Sequence, residues 1–437
     1  MIFYLQQFWN VIVIDICLTV VHHYVGVFPD LQYSTDGTSW NTYSEEISIS
    51  QGQTLLLKGN NPEGWSHSGS NYSHLSISGN VSISGNVMGL LDNGATSGEE
   101  GDITAIPCNY CFYDLFRDST GITSVSDDFL PATVLKNNCY DGMFYQCTSL
   151  IKTPDLPATS LAASCYNYMF NGCSSLIDAP ELPATNLNIN CYEYMFRGCT
   201  SLTQAPELRA TTLADACYYA MFQNCASLTV APELPATILE KECYESMFAS
   251  CISLTVAPDL PATSLANSCY WSMFYNCTSL TQAPELRATI LANSCYYAMF
   301  NCCSNLTTAP DLPATTLASN CYSNMFKGCT SLTQAPESLP ATVLKNNCYE
   351  YMFQGCTSLT QAPELPATSL VQSCYIYMFK DCTSLNSIKI DYTGDYRAFS
   401  FDNWVKNVAS SGILYYNGSD RTTGTSAIPS GWTVQPF

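Results

Sequence analysis

A repeat of 26 residues constrains the fold of this chain more than any other feature of its sequence. Cys-Tyr pairs begin at Cys139, Cys165, Cys191, Cys217, Cys243, Cys269, Cys295, Cys321, Cys348 and Cys374. Only the step from Cys321 to Cys348 is longer, because Ser338 is inserted between Glu337 and Leu339. Self-similarity at a fixed period of about 20 to 50 residues indicates stacked units, none of which buries its apolar face alone. The sequence therefore predicts a repeat solenoid.

Within one repeat, the pattern predicts a short helix, a short strand and a turn. The motif CYxxMFxxC places Cys, Met and the second Cys at i, i+4 and i+8, the spacing of one buried helical stripe. The motif SLTxAP alternates like a strand, which the repeat Pro limits to three or four residues. The predicted core includes Cys139, Met143, Phe144, Cys147, Leu150, Cys217, Met221, Phe222, Cys225 and Leu228. Parallel strands stack more closely than helices, so we expect strands on a concave side and helices on a convex side.

The ends of the chain depart from the repeat. Residues 1–27 are apolar but lack the basic region of a typical signal peptide, which leaves an anchor, an export signal, a misassigned start or a buried strand as alternatives. Residues 28–104 alternate like strands and predict a small β-rich domain, or a β-rich cap on the array, followed by a connector. Residues 105–138 resemble a degenerate repeat, in which Ser119 stands at the second Cys position.

Ten repeats occupy residues 139–385, and residues 386–437 are predicted to form a C-terminal cap. The cap sequence predicts a strand, a short helix that begins at Ser400 or Asp402 and ends before Gly412, and a closing segment around Trp432.

Charge and residue types exclude several functions. The net charge of −21 opposes binding to phosphate backbones and anionic membrane surfaces, so we expect no nucleic-acid partner, and membrane contact only through the N-terminal segment. All four histidines, His22, His23, His67 and His74, precede the repeats. No nucleophile, base and orienting residue recur together, so the sequence does not predict an enzyme.

The motifs MFxGCTSLT at Met195 to Thr203 and LPAT at Leu182 to Thr185 resemble the BspA-like leucine-rich-repeat surface proteins of anaerobic bacteria. The resemblance covers about residues 111–385, and the flanking segments LQYSTDGTSWNTY and IPSGWTV are also similar. It implies a horseshoe of the leucine-rich-repeat type, displayed on a cell or phage surface or secreted. It further implies adhesion to an extracellular protein, a glycan or another cell.

The cysteines favour a structural role. Twenty of the 24 occupy the two repeat positions, which on a helix lie about 12 Å apart, too far for a disulfide within one repeat. Buried free thiols are therefore preferred, although bonds between neighbouring coils stay open. Cys302-Cys303 and the CNYC motif from Cys108 to Cys111 are weak indications of a metal site, since zinc normally needs a second pair or a nearby His.

Two groups of residues are candidates for a binding surface. An acid follows the repeat Pro in nine successive repeats: Asp155, Glu181, Glu207, Glu233, Asp259, Glu285, Asp311, Glu337 and Glu364. Calcium, a basic partner or solvation would compensate this acidic ladder, and Arg209 and Arg287 would offset it locally. A solvated rim is favoured, so no cofactor is predicted. Aromatic residues such as Tyr219 and Trp271 suit protein or glycan contact, or packing between coils.

The sequence thus favours a non-enzymatic binding protein. The alternative is a structural repeat protein, such as a phage fibre or a component of the cell envelope.

Overall fold

The computed structural model describes the backbone of residues 12–14 and 18–22, and residues 29–44, 46–50, 52–91, 104–394, 398–418 and 427–437. The chain divides into two compact units, Met1–Ala210 and Thr211–Phe437, called here the N-terminal and the C-terminal unit. No helix in these described ranges is long and apolar enough to cross a membrane.

The N-terminal unit begins with strands that lead into the first coil. These are β1 (Ile12–Ile14), β2 (Leu18–His22), β3 (Gln32–Ser34), β4 (Asn41–Thr42), β5 (Leu55–Lys58), β6 (Ser73–Ile77), β7 (Val81–Ser84) and β8 (Ile122–Val125). Short 3₁₀ helices span Val87–Leu90 and Asp127–Phe129. A six-stranded sheet has the order β4-β3-β5-β1-β7-β8, and β2 pairs with β6. Of the alternatives for residues 1–27, strands are present at β1 and β2, and the rest of that segment lies outside the described residues.

Residues 65–84 act as a coil beneath the first repeat. Strand β7 pairs in parallel with β8, which lies in the degenerate repeat. The amide of Leu75 donates to the carbonyl of Leu115 at 2.7 Å, and the hydroxyl of Ser119 donates to the carbonyl of Leu75 at 2.7 Å. This part of the β-rich region is therefore continuous with the array, which is the arrangement of a cap.

The predicted helix of each repeat is wrong. The segment that carries CYxxMFxxC is a run of overlapping turns, and no repeat residue described by the structure lies in an α-helix. In the first full repeat, the amides of Met143 and Cys147 donate to the carbonyls three residues earlier, at 3.2 and 3.1 Å. The amides of Tyr140 and Phe144, which alternate with these, donate to carbonyls of the next coil instead. Their acceptors are the carbonyls of Cys165, at 3.0 Å, and Met169, at 2.9 Å. This alternation links neighbouring coils through their backbones.

A left-handed residue at every fourth position creates these turns. Asn138, Gly142 and Gln146 have φ of 55°, 64° and 58°, and equivalent residues in the other repeats are mostly Asn, Ser or Gly. Such residues tolerate positive φ better than most. A spacing of i, i+4 and i+8 is shared by a helical stripe and by a run of four-residue turns, so the apolar pattern alone did not separate them. We call this arrangement the turn lattice.

The strands of the repeats are shorter than predicted. Within each unit, neighbouring coils are joined by isolated parallel bridges, such as Ser160 to Asn186, Asp178 to Gln204 and Val230 to Val256. The bridges flank the APELPAT segment, whose prolines lack an amide donor and so prevent a longer ladder. The predicted curvature of the array stays a prediction.

The core consists of columns of identical side chains. All ten residues chosen as core from the sequence are 0% exposed. In the N-terminal unit, Phe116, Phe144 and Phe170 stack with ring centroids 5.5 and 5.6 Å apart. A second column of tyrosines runs beside it, with Tyr140 and Tyr166 6.0 Å apart. The C-terminal unit repeats both columns, which makes the contacts of one coil nearly those of the next.

The C-terminal unit ends in a small parallel sheet. It comprises β9 (Ser387–Lys389), β10 (Ser411–Tyr415) and β11 (Gly431–Gln435), in the order β11-β10-β9, and the four-residue helix α1 (Ala398–Phe401) precedes β10. The predicted helix start was wrong, since Ser400 lies inside α1 and Gly412 lies inside β10. A Cβ at Gly412 would come within 2.5 Å of the Asn386 carbonyl, so close strand approach explains this glycine.

The turn lattice also continues past the last recognisable repeat. The amides of Tyr375 and Phe379 donate to the carbonyls of Ser400 and Trp404 at 3.0 and 2.8 Å. Asn403 has φ of 50°, as expected of a lattice position. Residues 399–407 therefore form a further, degenerate coil.

Candidate functional site

The acidic ladder is exposed on the extended APELPAT segment. In this segment, Leu156 and Ala158 point into the core and are 3% and 1% exposed, while Asp155 between the prolines faces solvent. The same alternation exposes all nine acids: Asp155, Glu181 and Glu207 in the N-terminal unit, and Glu233, Asp259, Glu285, Asp311, Glu337 and Glu364 in the C-terminal unit.

Three of these acids have cationic partners. Glu207 pairs with Arg209 at 2.9 Å, and Glu285 pairs with Arg287 at 2.8 Å, where Arg stands in place of the repeat Pro. Glu364 pairs with Lys389 at 2.8 Å. Exposed pairs of this kind contribute roughly 0.2 to 1 kcal/mol each. The described residues contain no group of three or more His, Cys, Asp or Glu side chains arranged to hold a metal ion.

An open cleft of about 830 Å³ lies beside the second of these pairs. Its lining includes Glu285, Arg287 and Asp311, together with Pro310 and Pro313 of the following coil. The cleft lies where Arg287 replaces a proline and folds back onto Glu285. The sequence identified the substitution but not the cleft.

The two aromatic candidates on the turn lattice both contact neighbouring coils. The ring of Trp271 lies 4.3 Å from that of Tyr297, centroid to centroid. Tyr219 is half-buried and its hydroxyl hydrogen-bonds to the carboxylate of Glu245. Burial raises the pKa of Glu245 to about 7, and the bond from Tyr219 partly opposes this shift. Both aromatic residues thus combine packing between coils with partial exposure.

A row of tyrosines in the N-terminal unit was not chosen from the sequence. The rings of Tyr168 and Tyr194 stack with centroids 4.7 Å apart, and Tyr145 meets Tyr168 edge to face at 6.2 Å. The guanidinium of Arg117 lies 4.3 Å from the Tyr145 centroid, and that of Arg197 lies 5.2 Å from the Tyr194 centroid. We call these five half-exposed residues the tyrosine row.

The C-terminal unit contains a similar, shorter group. Tyr351 and Tyr377 stack at 4.8 Å. Lys327 lies 5.1 Å from the ring of Tyr351, and Lys380 lies 5.6 Å from the ring of Tyr377. Tyrosines flanked by cations therefore recur on the turn lattice.

Lattice geometry explains where these tyrosines lie. Tyr168, Tyr194, Tyr351 and Tyr377 all have positive φ, between 52° and 56°. Each is two residues after the buried Tyr of its repeat, at the position where Gly142 stands in the first repeat. Aligning the repeats column by column reveals this position as one of Tyr, Ser, Ala, Gly or Asn, which is the signal that sequence reasoning had available.

Burial keeps the hydroxyl of Tyr168 protonated. Burial raises the pKa of Tyr168 to about 12, with the nearby Tyr194 and Glu193 acting in the same direction. Its hydroxyl therefore stays a hydrogen-bond donor at neutral pH. Together with the guanidiniums, the row offers donors and apolar ring edges in one strip, a combination enriched in protein-binding surfaces.

Comparison with known proteins identifies the type of repeat. The family model described as "BspA type Leucine rich repeat region (6 copies)" matches residues 109–255, 164–307, 241–360 and 295–409, together more than half of the chain. Among solved structures, "Crystal structure of TLR13-ssRNA13 complex" contains a chain that is 14% identical, with a TM-score of 0.26. The match covers 75% of this chain and 52% of that one, so this chain spans about half the length of that protein. No match was found among curated proteins.

Proposed function

Since the chain belongs to the BspA-type leucine-rich-repeat family, we propose that it is a non-enzymatic, adhesin-like binding protein. In this proposal it is displayed on a cell surface, secreted, or displayed on the surface of a virion. Its partner in this proposal is an extracellular protein or a glycan. Leucine-rich-repeat families generally serve as binding modules, and the family of this chain is typically associated with surfaces.

The tyrosine row is the observation that carries this proposal. Tyr and Arg are the residue types that dominate the energetics of many interfaces, because they combine large contact area with specific hydrogen bonds. Backbone hydrogen bonds between coils fix the backbone that carries the row: the amide of Tyr168 donates to Glu193 at 2.9 Å, and that of Gln146, next to Tyr145, donates to Asn171 at 2.7 Å. A partner would therefore meet a preorganised surface.

The acidic ladder is the second surface in the proposal. Its exposed carboxylates attract basic partners over a distance of roughly 8 to 10 Å at physiological ionic strength. Such attraction raises association rates more than it strengthens the final complex. The expectation that nucleic acid is not a partner rests on the net charge of −21 and stays a prediction.

A scaffold role is the alternative, and the turn lattice is the observation that favours it. Every coil of a described unit is joined to its neighbour by a series of backbone hydrogen bonds, such as those from Tyr270 to Cys295 at 3.0 Å and from Phe274 to Met299 at 2.9 Å. Such a lattice suits a rigid spacer as well as a binding platform. Binding measurements separate the two functions.

The test is binding of the full chain to immobilised host matrix proteins, mucins, bacterial polysaccharides and RNA, at low and high salt. We expect saturable binding to a protein or a polysaccharide, and about a tenfold loss of affinity when Tyr168 and Tyr194 are both replaced by alanine, as for removal of interface anchors. The matched control is Asp155→Asn with Glu181→Gln, which neutralises two of the three ladder acids of the same unit and leaves the rings in place.

The outcomes assign the surface. Loss of binding in the tyrosine variant alone supports the tyrosine row, and a loss in the acid variant that disappears at high salt assigns binding to the ladder. Absence of saturable binding to every ligand, in a protein that is folded, refutes the binding function and leaves the scaffold.

A further inference from the structure

The thiols of this chain fall into two classes. The cysteines that the structure describes carry thiols and form no disulfides, and of these only Cys108 and Cys302 are partly exposed. The others are buried in the coil core, where burial raises the pKa of thiols such as those of Cys173 and Cys303. Thiols of this kind react slowly because the thiolate is the reactive form.

The second Cys of a repeat has a defined structural role within both units. Its thiol donates to the carbonyl of a Phe in the preceding coil, as Cys173 does to Phe144 at 3.2 Å and Cys277 does to Phe248 at 3.1 Å. This bond satisfies a polar group inside an apolar core. Neither the exposure nor the hydrogen bonding of these cysteines points to a reactive role.

Cys108 and Cys111 differ from all of them. They lie in one turn, in which Tyr110 has φ of 58°, at the junction between the cap and the first coil. A Cβ placed on Gly64 would lie 2.5 Å from the sulfur of Cys108 and 3.4 Å from the Cα of Cys111, so this glycine leaves room for both residues. The amide of Trp65 fixes the turn by donating to the carbonyl of Cys111 at 2.9 Å.

The two thiols are also hydrogen-bonded to each other. A bond from the Cys111 thiol lowers the pKa of Cys108, while the same bond and burial raise the pKa of Cys111. Because Cys108 is partly exposed and Cys111 is buried, Cys108 is the sulfur that a disulfide in solution reaches first. An accessible thiolate beside a second thiol is the arrangement of an attacking and a resolving cysteine.

We propose that Cys108 and Cys111 form a redox-active dithiol, which a small disulfide such as oxidised glutathione converts to an intrachain disulfide. The thiolate of Cys108 attacks one sulfur of glutathione disulfide and releases one glutathione thiolate, which leaves a mixed disulfide on Cys108. The sulfur of Cys111, once deprotonated, attacks the sulfur of Cys108 and releases the second glutathione. The dithiol loses two electrons and two protons, and the glutathione disulfide gains them as two thiols.

The other partly exposed thiol lacks such a partner. Cys302 donates to Asn301 Oδ1 at 3.1 Å. The adjacent Cys303 is fully buried, and its thiol donates to the carbonyl of Phe274 at 3.0 Å. Cys302 can thus form a single mixed disulfide at most. It serves as a control, because it is a partly exposed thiol with no second thiol placed to resolve a mixed disulfide.

The experiment treats the full-length, reduced protein with glutathione disulfide under native conditions, blocks the remaining thiols with an alkylating agent, and maps all cysteines by mass spectrometry. We expect one intrachain disulfide, between Cys108 and Cys111, in the wild type and in Cys302→Ser. In Cys111→Ser we expect the disulfide to be replaced by a stable glutathione adduct on Cys108. In Cys108→Ser we expect neither product on Cys111.

Three results overturn the proposal. In the first, Cys108 and Cys111 of the wild type are both still thiols after the treatment and become alkylated; in the second, the first disulfide forms between another pair of cysteines. In the third, the Cys111→Ser variant carries no glutathione adduct on Cys108. Circular dichroism spectra matching the wild type show that each variant is folded. Because the chemistry is read on the protein alone, its outcome is independent of the proposed binding function.

Discussion

The turn lattice and a helix predict opposite orders of stability for a glycine and an alanine variant at the same position. Ser294 has φ of 56°, its amide donates to the carbonyl of Ser319 at 2.9 Å, and its side chain is half-exposed. We compare Ser294→Gly with Ser294→Ala. In a helix, Ala would be the more stable of the two by about 1 kcal/mol.

In the lattice the order is reversed. Alanine at a left-handed position costs about 1 to 2 kcal/mol because its Cβ approaches the following carbonyl oxygen. Glycine loses about 0.4 to 1 kcal/mol more conformational entropy on folding, which offsets part of that difference. The glycine variant should therefore be the more stable by roughly 0.5 to 1 kcal/mol. The difference in stability between the glycine and alanine variants therefore separates a helix from the turn lattice by about 1.5 to 2 kcal/mol.

Urea unfolding of the full chain, followed by tyrosine and tryptophan fluorescence, measures the difference. With a slope of about 3 kcal/mol per molar, the unfolding midpoint of the glycine variant should lie about 0.2 to 0.3 M above that of the alanine variant. Ser268, with φ of 54°, provides a second site, and Ala292→Gly, whose φ is not positive, should be destabilising by about 0.5 to 1 kcal/mol. An alanine variant that is more stable than the glycine variant at both serine sites would refute the turn lattice.

Three further substitutions test the core and its charges. Tyr322 is buried and its hydroxyl has no hydrogen-bond partner among the described residues, so Tyr322→Phe should raise the free energy of unfolding by about 1 kcal/mol in a thermal or urea titration; a decrease would show that the hydroxyl is satisfied. Cys277→Ala removes the thiol bond to Phe248 and leaves a small void, so it should lower the free energy of unfolding by about 1 to 2 kcal/mol, and an unchanged midpoint would deny the bond any role. Burial raises the pKa of Asp141 to about 7, so its contribution to stability is complete below the ordinary Asp pKa of about 4 and is lost as pH rises through about 7. Asp141→Asn should therefore flatten the decline of the unfolding midpoint between pH 4 and pH 7, and the same slope in both proteins would contradict this assignment.

The buried side of the repeats could be predicted from the sequence because burial follows the register of the repeat. The degenerate first repeat illustrates this point. Phe112 and Phe116 continue the Tyr and Phe columns, at 5.9 Å from Tyr140 and 5.5 Å from Phe144. Ser119, aligned with the second Cys, is 0% exposed and donates to a carbonyl as the thiols do.

The backbone conformation could not be predicted in the same way. A helix satisfies its amides locally, whereas the amides of Tyr140 and Phe144 find their acceptors 25 residues further along the chain. Whether an amide bonds within its own turn or to the neighbouring coil depends on that coil, and the sequence of a single repeat does not include it. The local signal was the small or polar residue at every fourth position, and Gln146, with φ of 58°, shows how weak that signal is in a single repeat.

The C-terminal coil was missed for a different reason. Phe401 and Trp404 take the places of Tyr and Phe in the two aromatic columns, 5.4 Å from Tyr375 and 6.2 Å from Phe379. Neither Cys nor Met remains to identify the repeat. A larger indole fills the space where a Phe would stack, so the shape of the coil is kept although its motif has been lost.

The lattice also separates the residues that stabilise the array from those available for recognition. At the position of Tyr168, the C-terminal unit has Ser246, Ser272 and Ala298, and all four residues have φ between 52° and 56°. Their amides all donate to the next coil at 2.7 to 2.9 Å. The hydrogen bonds are therefore independent of the side chain at this position, which is free to differ from coil to coil. Replacing Tyr168 by serine should then alter the proposed binding surface while leaving the backbone bonds of the lattice intact. Tyrosines at this position are therefore better candidates for specificity than the acids, whose identity hardly changes along the array.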